Sequence, residues 1–247
     1  MDEFYIDSDV RLHAKLERPG SFEHGPLAIV LHGLTGHMEE RHIVAVSKTL
    51  NELGVATLRV ELYGHGQSGG DFCRHTLYKW IGNVLEVIDY AKGLPFADEL
   101  YLCGHSQGGL TSMLVAGMRP YDIRALMPLS PAIVIVDGAR KGSMLGMTFD
   151  PAHIPDQVAN RDRKLSGNYF RVAQTIDVDA AIARYHGPVL LVHGAQDMAV
   201  PVSYSIEAAD KYEDARLVLV EGDTHCYTEH LDRVLDAIRA FVRDLQA

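Results

Sequence analysis

The chain has 247 residues, of which 47% are hydrophobic and 23% are charged, and its formal net charge is −10 at pH 7. The length suffices for one sizeable core and the composition is ordinary for a globular protein, so we predict a single domain over residues 1–247. The excess of acidic residues argues against nucleic acid or an anionic membrane surface as a partner, because both bind surplus Lys and Arg.

The N-terminus and the cysteines indicate a compartment. Met1-Asp2-Glu3 places acids where a secretion signal has bases, and no apolar stretch of signal-peptide or membrane-span length follows. The three cysteines, Cys73, Cys103 and Cys226, form no C-x-x-C pair and no even set for a disulfide framework. We therefore expect a reduced cytoplasmic protein with no membrane partner.

The first half of the chain alternates strand-like and helix-like segments. Short β-like pieces cover Phe4–Ile6 and Arg11–Glu17. A buried strand is predicted at the continuous apolar run Leu27–Leu31, and apolar residues at helical spacing follow from Arg41 to Leu53. The same reasoning predicts strands at Val55–Leu62, Glu99–Cys103 and Ala125–Leu129 and a helix at Leu77–Ala91. Such alternation is typical of an α/β fold with a mostly parallel, doubly wound sheet.

The pattern is interrupted between about residues 132 and 185. This stretch mixes Gly, Pro and Asp with scattered hydrophobic residues, and no clear strand is visible in it. A loop of that length is rare in a compact domain unless it has a structure or a function of its own. We interpret it as an inserted cap over the carboxyl edge of the sheet. Strand and helix then alternate again, at Pro188–Val192, Val202–Tyr212, Arg216–Val220 and Glu229–Leu245.

A G-x-S-x-G motif lies where one predicted strand turns into a helix. Gly104–Gly108 reads GHSQG, directly after the strand Glu99–Cys103 and before a segment rich in Leu, Met and Val. A nucleophile elbow requires this context, because the tight turn exposes the serine and only Gly leaves room beside it. The helix that starts after Ser106 also directs its unpaired N–H groups to the same point. Ser106 is therefore the candidate nucleophile.

A second G-x-S-x-G match, Gly66–Gly70, lacks this context. The preceding apolar run ends at Leu62, and Asp71–Arg74 is no obvious helix start. We interpret Ser68 as a loop residue for that reason. The overlapping G-x-G-x-x-G match at Gly64–Gly69 is rejected as a dinucleotide site on the same ground, since no helix opens directly from it.

An acid and a histidine follow two later strands. Asp197 comes after Pro188–Val192, and His225 comes after Arg216–Val220. Nucleophile, acid and histidine in this chain order, each after a strand, are typical of α/β-hydrolases. His225 would accept the Ser106 proton and later deliver it to the leaving group, while Asp197 would orient the imidazole.

Two other acids are alternatives to Asp197. Asp223 lies two residues from His225 in the same loop, so we expect its carboxylate to point elsewhere. Asp137 is a weaker alternative, because it lies inside the predicted cap. Asp197 is the preferred acid.

The oxyanion of an acyl transfer needs two hydrogen-bond donors. One is expected to be the backbone N–H of Gln107, the residue after the nucleophile. The other is expected to be the N–H of Leu34, in the loop after the strand Leu27–Leu31. The sequence contains no H-E-x-x-H motif, Cys/His cluster or P-loop. We therefore predict no metal and no other cofactor.

Eight motifs, spread over essentially the whole chain, carry a family resemblance. They are HGLTGHMEERHIVAV, ELYGHGQSGG, GHSQGG, PLSPA, FDPAHIPD, RVAQTI, VHGAQD and EGDTHCY. Together they resemble the bacterial cinnamoyl (feruloyl) esterases of the α/β-hydrolase superfamily. The resemblance implies hydrolysis of esters that join hydroxycinnamic acids to plant-wall sugars or small alcohols. It also implies Ser106, His225 and Asp197 as a catalytic triad and Leu34 and Gln107 as the oxyanion hole.

The resemblance further implies that the cap closes over the aromatic acyl group. Tyr169 matches a cap residue that contacts the phenolic hydroxyl in the family, and Asp137 is near a second polar contact. A tyrosine in a cap also often serves only to bury its ring, and that alternative stays open for Tyr169. Dimers are common in the family, so a homodimer stays open for this chain as well.

We therefore predict a serine carboxylesterase that cleaves small aromatic esters through an acyl-enzyme. A monoacylglycerol lipase or short-chain esterase is the alternative, because Met144, Leu145 and Met147 of the cap would suit a fatty chain as well as an aromatic ring. A non-catalytic binding module is a more remote alternative, since a fold alone does not fix a function.

Overall fold

The structure is a computed structural model and describes residues 1–20, 22–161 and 163–247. In chain order, its strands are β1 (Asp2–Asp7), β2 (Arg11–Glu17), β3 (Gly25–Leu31), β4 (Ala56–Val60), β5 (Ala97–His105), β6 (Ile123–Leu129), β7 (Ser143–Met144), β8 (Met147–Thr148), β9 (Gln157–Ala159), β10 (Lys164–Ser166), β11 (Val189–Gly194) and β12 (Ala215–Val220). The α-helices are α1 (Arg41–Glu52), α2 (Leu77–Lys92), α3 (Gln107–Met118), α4 (Val134–Lys141), α5 (Gly167–Thr175), α6 (Val178–Ile182), α7 (Ser203–Lys211) and α8 (Leu231–Leu245).

Eight of these strands form one sheet in the order β1-β2-β4-β3-β5-β6-β11-β12. The first pairings, β1 with β2 and β2 with β4, are antiparallel. All remaining pairings in the sheet are parallel. The predicted α/β fold with a mostly parallel sheet is therefore confirmed. Because parallel strands end at the same edge, the loops that follow β3, β5, β11 and β12 lie close together.

Both faces of the sheet are covered by helices. Along β3, Leu27, Ile29 and Leu31 belong to one hydrophobic cluster, whereas Ala28 and Val30 belong to another. This alternation is the period of two that a strand imposes on its side chains. Helices α2 and α3 contribute to the first cluster, and α1 and α8 contribute to the second. No helix in the described part of the chain is long and apolar enough to cross a membrane.

The segment between β6 and β11 has more structure than its sequence pattern suggests. It contains α4, the antiparallel hairpins β7–β8 and β9–β10, and then α5 and α6. The four strands have only two or three residues each. Such strands are too short to show an alternating pattern, which is why none was predicted here.

The loop after β4 differs from its prediction in one respect. A short 3₁₀-helix at Phe72–Arg74 begins after Asp71, whose carboxylate accepts a hydrogen bond from the Cys73 N–H. Ser68, by contrast, lies in the loop as predicted, and its hydroxyl donates to the Glu61 carbonyl at 2.6 Å. This hydroxyl also accepts from the His13 N–H at 2.8 Å, so Ser68 joins the loop to β2.

Several histidines are enclosed by the fold in the neutral state. Burial lowers the pKa of His32 to about 3 and the pKa values of His42 and His75 to about 4. Neighbouring histidines lower all three further, because two positive charges would repel each other. An unfolded chain exposes the same imidazoles to water, where their pKa is about 6.5.

We therefore expect acid to destabilise this fold well above the titration range of the carboxylates. Below pH 6.5 these imidazoles are protonated in the unfolded chain but not in the folded chain. Each of the three histidines therefore lowers the free energy of unfolding by about 1.4 kcal/mol for each unit by which the pH falls. The loss levels off near pH 4 to 3, where the folded-state imidazoles also become protonated. Urea unfolding at pH 7, 6 and 5 measures this slope, and the His75→Phe variant should show a slope smaller by about one proton. An equal free energy at pH 7 and pH 5 would contradict the expectation.

Candidate active site

Ser106 stands at the turn between β5 and α3 in a strained backbone conformation. Its φ of 54° and ψ of −118° lie outside the regions that L-residues ordinarily occupy. The turn is packed so closely that a Cβ on Gly104 would overlap the Gly108 carbonyl, and a Cβ on Gly108 would overlap the His32 carbonyl. A larger residue therefore does not fit at Gly104 or Gly108. The structure has the geometry of a nucleophile elbow.

His225 and Asp197 complete a hydrogen-bonded chain with this serine. The Ser106 Oγ lies 2.8 Å from His225 Nε2, and His225 Nδ1 lies 2.6 Å from Asp197 Oδ2. The carboxylate can only accept, so Nδ1 carries the imidazole proton and Nε2 is the acceptor that faces the serine hydroxyl. This tautomer is the one that can remove a proton from Ser106.

Asp197 is held as a carboxylate by its surroundings. Burial by itself would raise the pKa of Asp197, but hydrogen bonds from His193 and His225 outweigh burial and hold this pKa well below its usual range. The Ala199 and Val200 N–H groups also donate to Oδ1, at 2.8 and 2.9 Å. His193 Nε2 lies 3.1 Å from Oδ2. The sequence showed His193 four residues before Asp197, but not that both rings would share one carboxylate.

The loop that carries His225 is tied to the elbow. His105, inside the G-x-S-x-G motif, donates from Nε2 to the His225 carbonyl at 2.8 Å. Tyr227 has a left-handed φ of 54° and is fully buried. Its hydroxyl donates to the Val192 carbonyl at 3.0 Å and lies 2.8 Å from the Ser130 hydroxyl. These hydrogen bonds connect the carboxyl ends of β5, β6 and β11 to the loop that carries the His225 imidazole.

The two alternative acids lie elsewhere. Asp223 is fully buried, and its oxygens accept from the N–H groups of Thr224 at 2.8 Å and His230 at 2.7 Å. It therefore holds the start of α8 and does not contact His225. Asp137 accepts from the Tyr204 hydroxyl at 2.9 Å, on the outer side of α4.

Both predicted oxyanion donors adjoin Ser106. Gly33, which precedes Leu34, approaches so closely that a Cβ on it would lie 3.0 Å from the Ser106 Cβ. Gln107 is the first residue of α3, where helical N–H groups have no partner within the helix. Within the described residues, neither the Leu34 N–H nor the Gln107 N–H has a hydrogen-bond acceptor. Both groups are therefore free to bind an oxyanion at this place.

A cavity of about 260 Å³ opens at Ser106 and His225. Apolar side chains from the segment between β6 and β11 form much of its wall, together with residues of the oxyanion loop and the Asp197 loop: Leu34, Ala132, Val134, Ile135, Leu145, Ala199 and Val200. The wall also contains Glu40, Arg163 and Cys226, whose polar side chains the sequence analysis did not assign to the site. Only Cys226 had a visible signal, because it follows His225 directly. Within the described residues, no group of three His, Cys, Asp or Glu side chains is placed to hold a metal ion.

The two cap residues predicted for substrate binding do not line this cavity. Tyr169 is fully buried on α5, and its hydroxyl donates to Gln107 Oε1 at 2.7 Å. Its ring packs on His75 with centroids 4.8 Å apart, and burial raises its pKa. Asp137 lines a separate cavity of about 180 Å³ beside Tyr204. The geometry agrees with the packing alternative for Tyr169, and a substrate contact from either side chain stays a prediction.

The apolar residues predicted to suit a fatty chain are also separated. Leu145 lines the cavity, whereas Met144 and Met147 are buried in the hydrophobic core. The reason is the β7–β8 hairpin, which directs Leu145 at its tip to the cavity and the Met144–Met147 pair inward.

Comparisons with known proteins agree with this fold. The family model described as "Serine aminopeptidase, S33" matches residues 24–167, and one described as "TAP-like protein" matches residues 158–247. Est1E from Butyrivibrio proteoclasticus with ferulic acid bound is 52% identical, with a TM-score of 0.96 over 98% of each chain. Another structure of Est1E is 50% identical, with a TM-score of 0.93 over 99% of each chain. The mouse palmitoyl-protein thioesterase ABHD10 is 27% identical over 218 residues, covering 84% of this chain and 71% of the relative.

An α/β sheet with a serine elbow and a His–Asp pair at its carboxyl edge defines a serine hydrolase of the α/β-hydrolase fold. The chain belongs to the α/β-hydrolase family described as serine aminopeptidase S33. Within it, the chain is a serine carboxylesterase that is similar to Est1E along nearly its whole length.

The two buried aspartates of this edge should respond differently to the same substitution. Asp197→Asn cannot hold the imidazole in its tautomer, so we expect kcat to fall by about 10⁴-fold with little change in folding. Asp223→Asn weakens the hydrogen bonds to the start of α8, and we expect it to cost about 1–3 kcal/mol of stability while kcat stays within a few-fold. Steady-state hydrolysis of p-nitrophenyl acetate and thermal unfolding measure both variants. A larger loss of kcat in Asp223→Asn than in Asp197→Asn would reverse the assignment.

Proposed function

We propose that this enzyme hydrolyses esters of hydroxycinnamic acids, such as ferulate esters. The observation that carries the proposal is the likeness to Est1E with ferulic acid bound, which is 52% identical over 98% of both chains. A likeness of this extent includes the segment between β6 and β11, which forms much of the cavity wall. The proposal therefore concerns the acyl-binding cavity as well as the reacting groups.

In the proposed mechanism Ser106 Oγ attacks the ester carbonyl while His225 Nε2 takes its proton, across the 2.8 Å hydrogen bond. The resulting oxyanion accepts hydrogen bonds from the Leu34 and Gln107 N–H groups. His225 then returns the proton to the alcohol oxygen, which leaves, and Ser106 remains acylated. A water molecule gives its proton to His225 and attacks the acyl carbon; His225 then passes this proton to Ser106 Oγ as the acyl–Oγ bond breaks, which releases the acid and regenerates Ser106. Asp197 stabilises the imidazolium throughout.

Residues 132–185 act as the cap in this proposal. The aliphatic side chains of Val134, Ile135 and Leu145 would cover the acyl group and exclude water from the ester carbonyl. Glu40 and Arg163 add two charged groups to the wall that these aliphatic side chains form. Such a wall suits an acyl or alcohol portion that combines apolar surface with hydroxyl groups.

A fatty-acyl ester or thioester is the second candidate substrate. It is favoured by the aliphatic lining of the cavity and by the 27% identity to the palmitoyl-protein thioesterase ABHD10. The separation of Met144 and Met147 from the cavity leaves less apolar surface for such a chain than the sequence suggested.

Location and assembly are proposals as well. The three cysteines are free thiols in the structure, which supports a reducing, cytoplasmic compartment. A homodimer is suggested by the family resemblance alone. Size-exclusion chromatography with light scattering measures it directly.

The substrate class is tested by kcat/KM on methyl ferulate and on p-nitrophenyl octanoate. We expect methyl ferulate to be preferred by at least about tenfold, because a shaped pocket discriminates acyl groups by about 1–3 kcal/mol. Ser106→Ala should abolish both activities while keeping the unfolding temperature. A preference for the octanoate ester would replace ferulate by the fatty-acyl candidate. Absence of turnover on both esters would overturn the esterase proposal.

A further inference from the structure

The carbonyl that precedes the Leu34 N–H is held by a buried histidine. His32 Nδ1 lies 2.7 Å from the Gly33 carbonyl oxygen, and the Leu62 N–H donates to His32 Nε2 at 3.0 Å. Because Leu62 supplies a donor to Nε2, the ring proton must reside on Nδ1, which then donates to Gly33. The N–H of Leu62, two residues after β4, thus selects the tautomer that donates to the Gly33 carbonyl.

A second histidine holds the other side of the same loop. The Thr35 N–H donates to His65 Nε2 at 3.2 Å, and His65 Nδ1 donates to the Tyr63 carbonyl at 2.9 Å. Thr35 has a left-handed φ of 63°, which is costly for a β-branched residue unless other contacts hold it. His65 comes from the glycine-rich loop after β4, the segment whose G-x-S-x-G and G-x-G-x-x-G matches had no assigned function.

Planarity of the peptide bond links these contacts to the oxyanion hole. The Gly33 carbonyl and the Leu34 N–H belong to one trans peptide group, so they point in opposite directions. A hydrogen bond that fixes the carbonyl oxygen therefore also fixes the direction of the Leu34 N–H. The Gly36 N–H donates to the same carbonyl at 3.1 Å, so it is held from two sides.

The two imidazoles form part of a rigid aromatic cluster. Their centroids are 5.1 Å apart, and the Trp80 ring meets both of them edge-on, at 5.2 Å from His32 and 4.9 Å from His65. Burial lowers the pKa of both rings, to about 3 for His32, so both are neutral at the pH of an ester hydrolase assay. Within the described residues, neither ring is part of the wall of the Ser106 cavity.

We propose that His32 and His65 are positioning residues: His32 holds the Gly33–Leu34 peptide, His65 holds the Leu34–Thr35 peptide that follows it, and together they aim the Leu34 N–H at the substrate oxyanion. The proposal rests on the assignment of Leu34 to the oxyanion hole in the proposed function. Neither histidine touches the substrate, and both act through the loop between them. The clamp would therefore stabilise the transition state while leaving the binding of the ester itself unchanged.

The test compares His65→Leu with His65→Gln. Leucine fills the space but removes the acceptor for Thr35, whereas glutamine can place its amide oxygen near the former Nε2 position. With p-nitrophenyl acetate, we expect kcat to fall about 10- to 100-fold in His65→Leu with KM within about threefold, since loss of a whole oxyanion donor costs about 10²–10³ in kcat. His65→Gln should recover most of the loss. His75→Phe is the matched control, because His75 lies in the same cluster but bonds to the Phe72 carbonyl and not to the loop.

A second readout separates positioning from a general loss of structure. Phenylboronic acid forms a bond from boron to Ser106 Oγ, whose proton passes to His225, and a boron-bound oxygen then occupies the oxyanion position. Its inhibition constant should rise in parallel with the fall in kcat for His65→Leu and for His32→Leu, but not for His75→Phe. If His32→Leu does not fold, the His65 pair still decides the question.

The outcomes distinguish the clamp from the proposed function. Unchanged kcat and boronate affinity in His65→Leu, with an active parent enzyme, would overturn the clamp and leave the esterase proposal standing. Equal losses of kcat in His65→Leu and His75→Phe would overturn it as well, because the effect would then be one of packing. A parent enzyme that cleaves p-nitrophenyl acetate but not methyl ferulate would refute only the proposed substrate class.

Discussion

The strained backbone of Ser106 is the constraint on which the rest of the site depends. A φ of 54° at a non-glycine residue persists only where the surroundings over-determine it. Here β5 lies between β3 and β6, and the Ser106 N–H donates to the Leu129 carbonyl at 2.9 Å. The Ser106 carbonyl accepts from the Ala132 N–H at 2.9 Å, and Gly108 packs directly on the His32 carbonyl. The central position of β5 thus turns local strain into a fixed position for the nucleophile.

Around this point, directional hydrogen bonds from histidines do most of the positioning. His225 is oriented by Asp197, His105 grips the His225 carbonyl, and His32 grips the Gly33 carbonyl. Burial keeps His32 and His105 neutral, with pKa values well below the usual range. A neutral imidazole can donate from one nitrogen and accept at the other, whereas a charged one only donates. The burial of these imidazoles lowers the stability of the fold in acid. The same burial keeps the rings neutral and therefore preserves the direction of the hydrogen bonds that position the site.

The segment between β6 and β11 determines what the reacting groups can reach. The sheet edge supplies a general serine hydrolase, and α4 and the β7–β8 hairpin narrow its opening to a small, mostly aliphatic cavity. Tyr169 lies outside the cavity wall, and its hydroxyl donates a hydrogen bond that holds the Gln107 side chain. In the proposed function, substrate choice and reaction chemistry are therefore carried by different parts of one chain, as in folds that host many functions on one scaffold.

The sequence by itself determined where the reactive side chains lie relative to the strands. Ser106, Asp197 and His225 each follow an apolar run that predicts a strand. The spacing of apolar residues, two in a strand and three to four in a helix, is a local signal. The main strands of the sheet and most of the helices beside them could therefore be predicted from the sequence. The short hairpins of the cap could not be predicted, because strands of two or three residues show no alternating pattern. The direction of Tyr169 could not be predicted either, because it depends on a contact with Gln107, far away in the chain. The same holds for His65, which the sequence places in a loop with no evident task. Its imidazole lies at the Thr35 N–H in a cluster of rings that includes Trp80 and Phe72, and hydrogen-bond partners across a fold leave no periodic trace in the sequence.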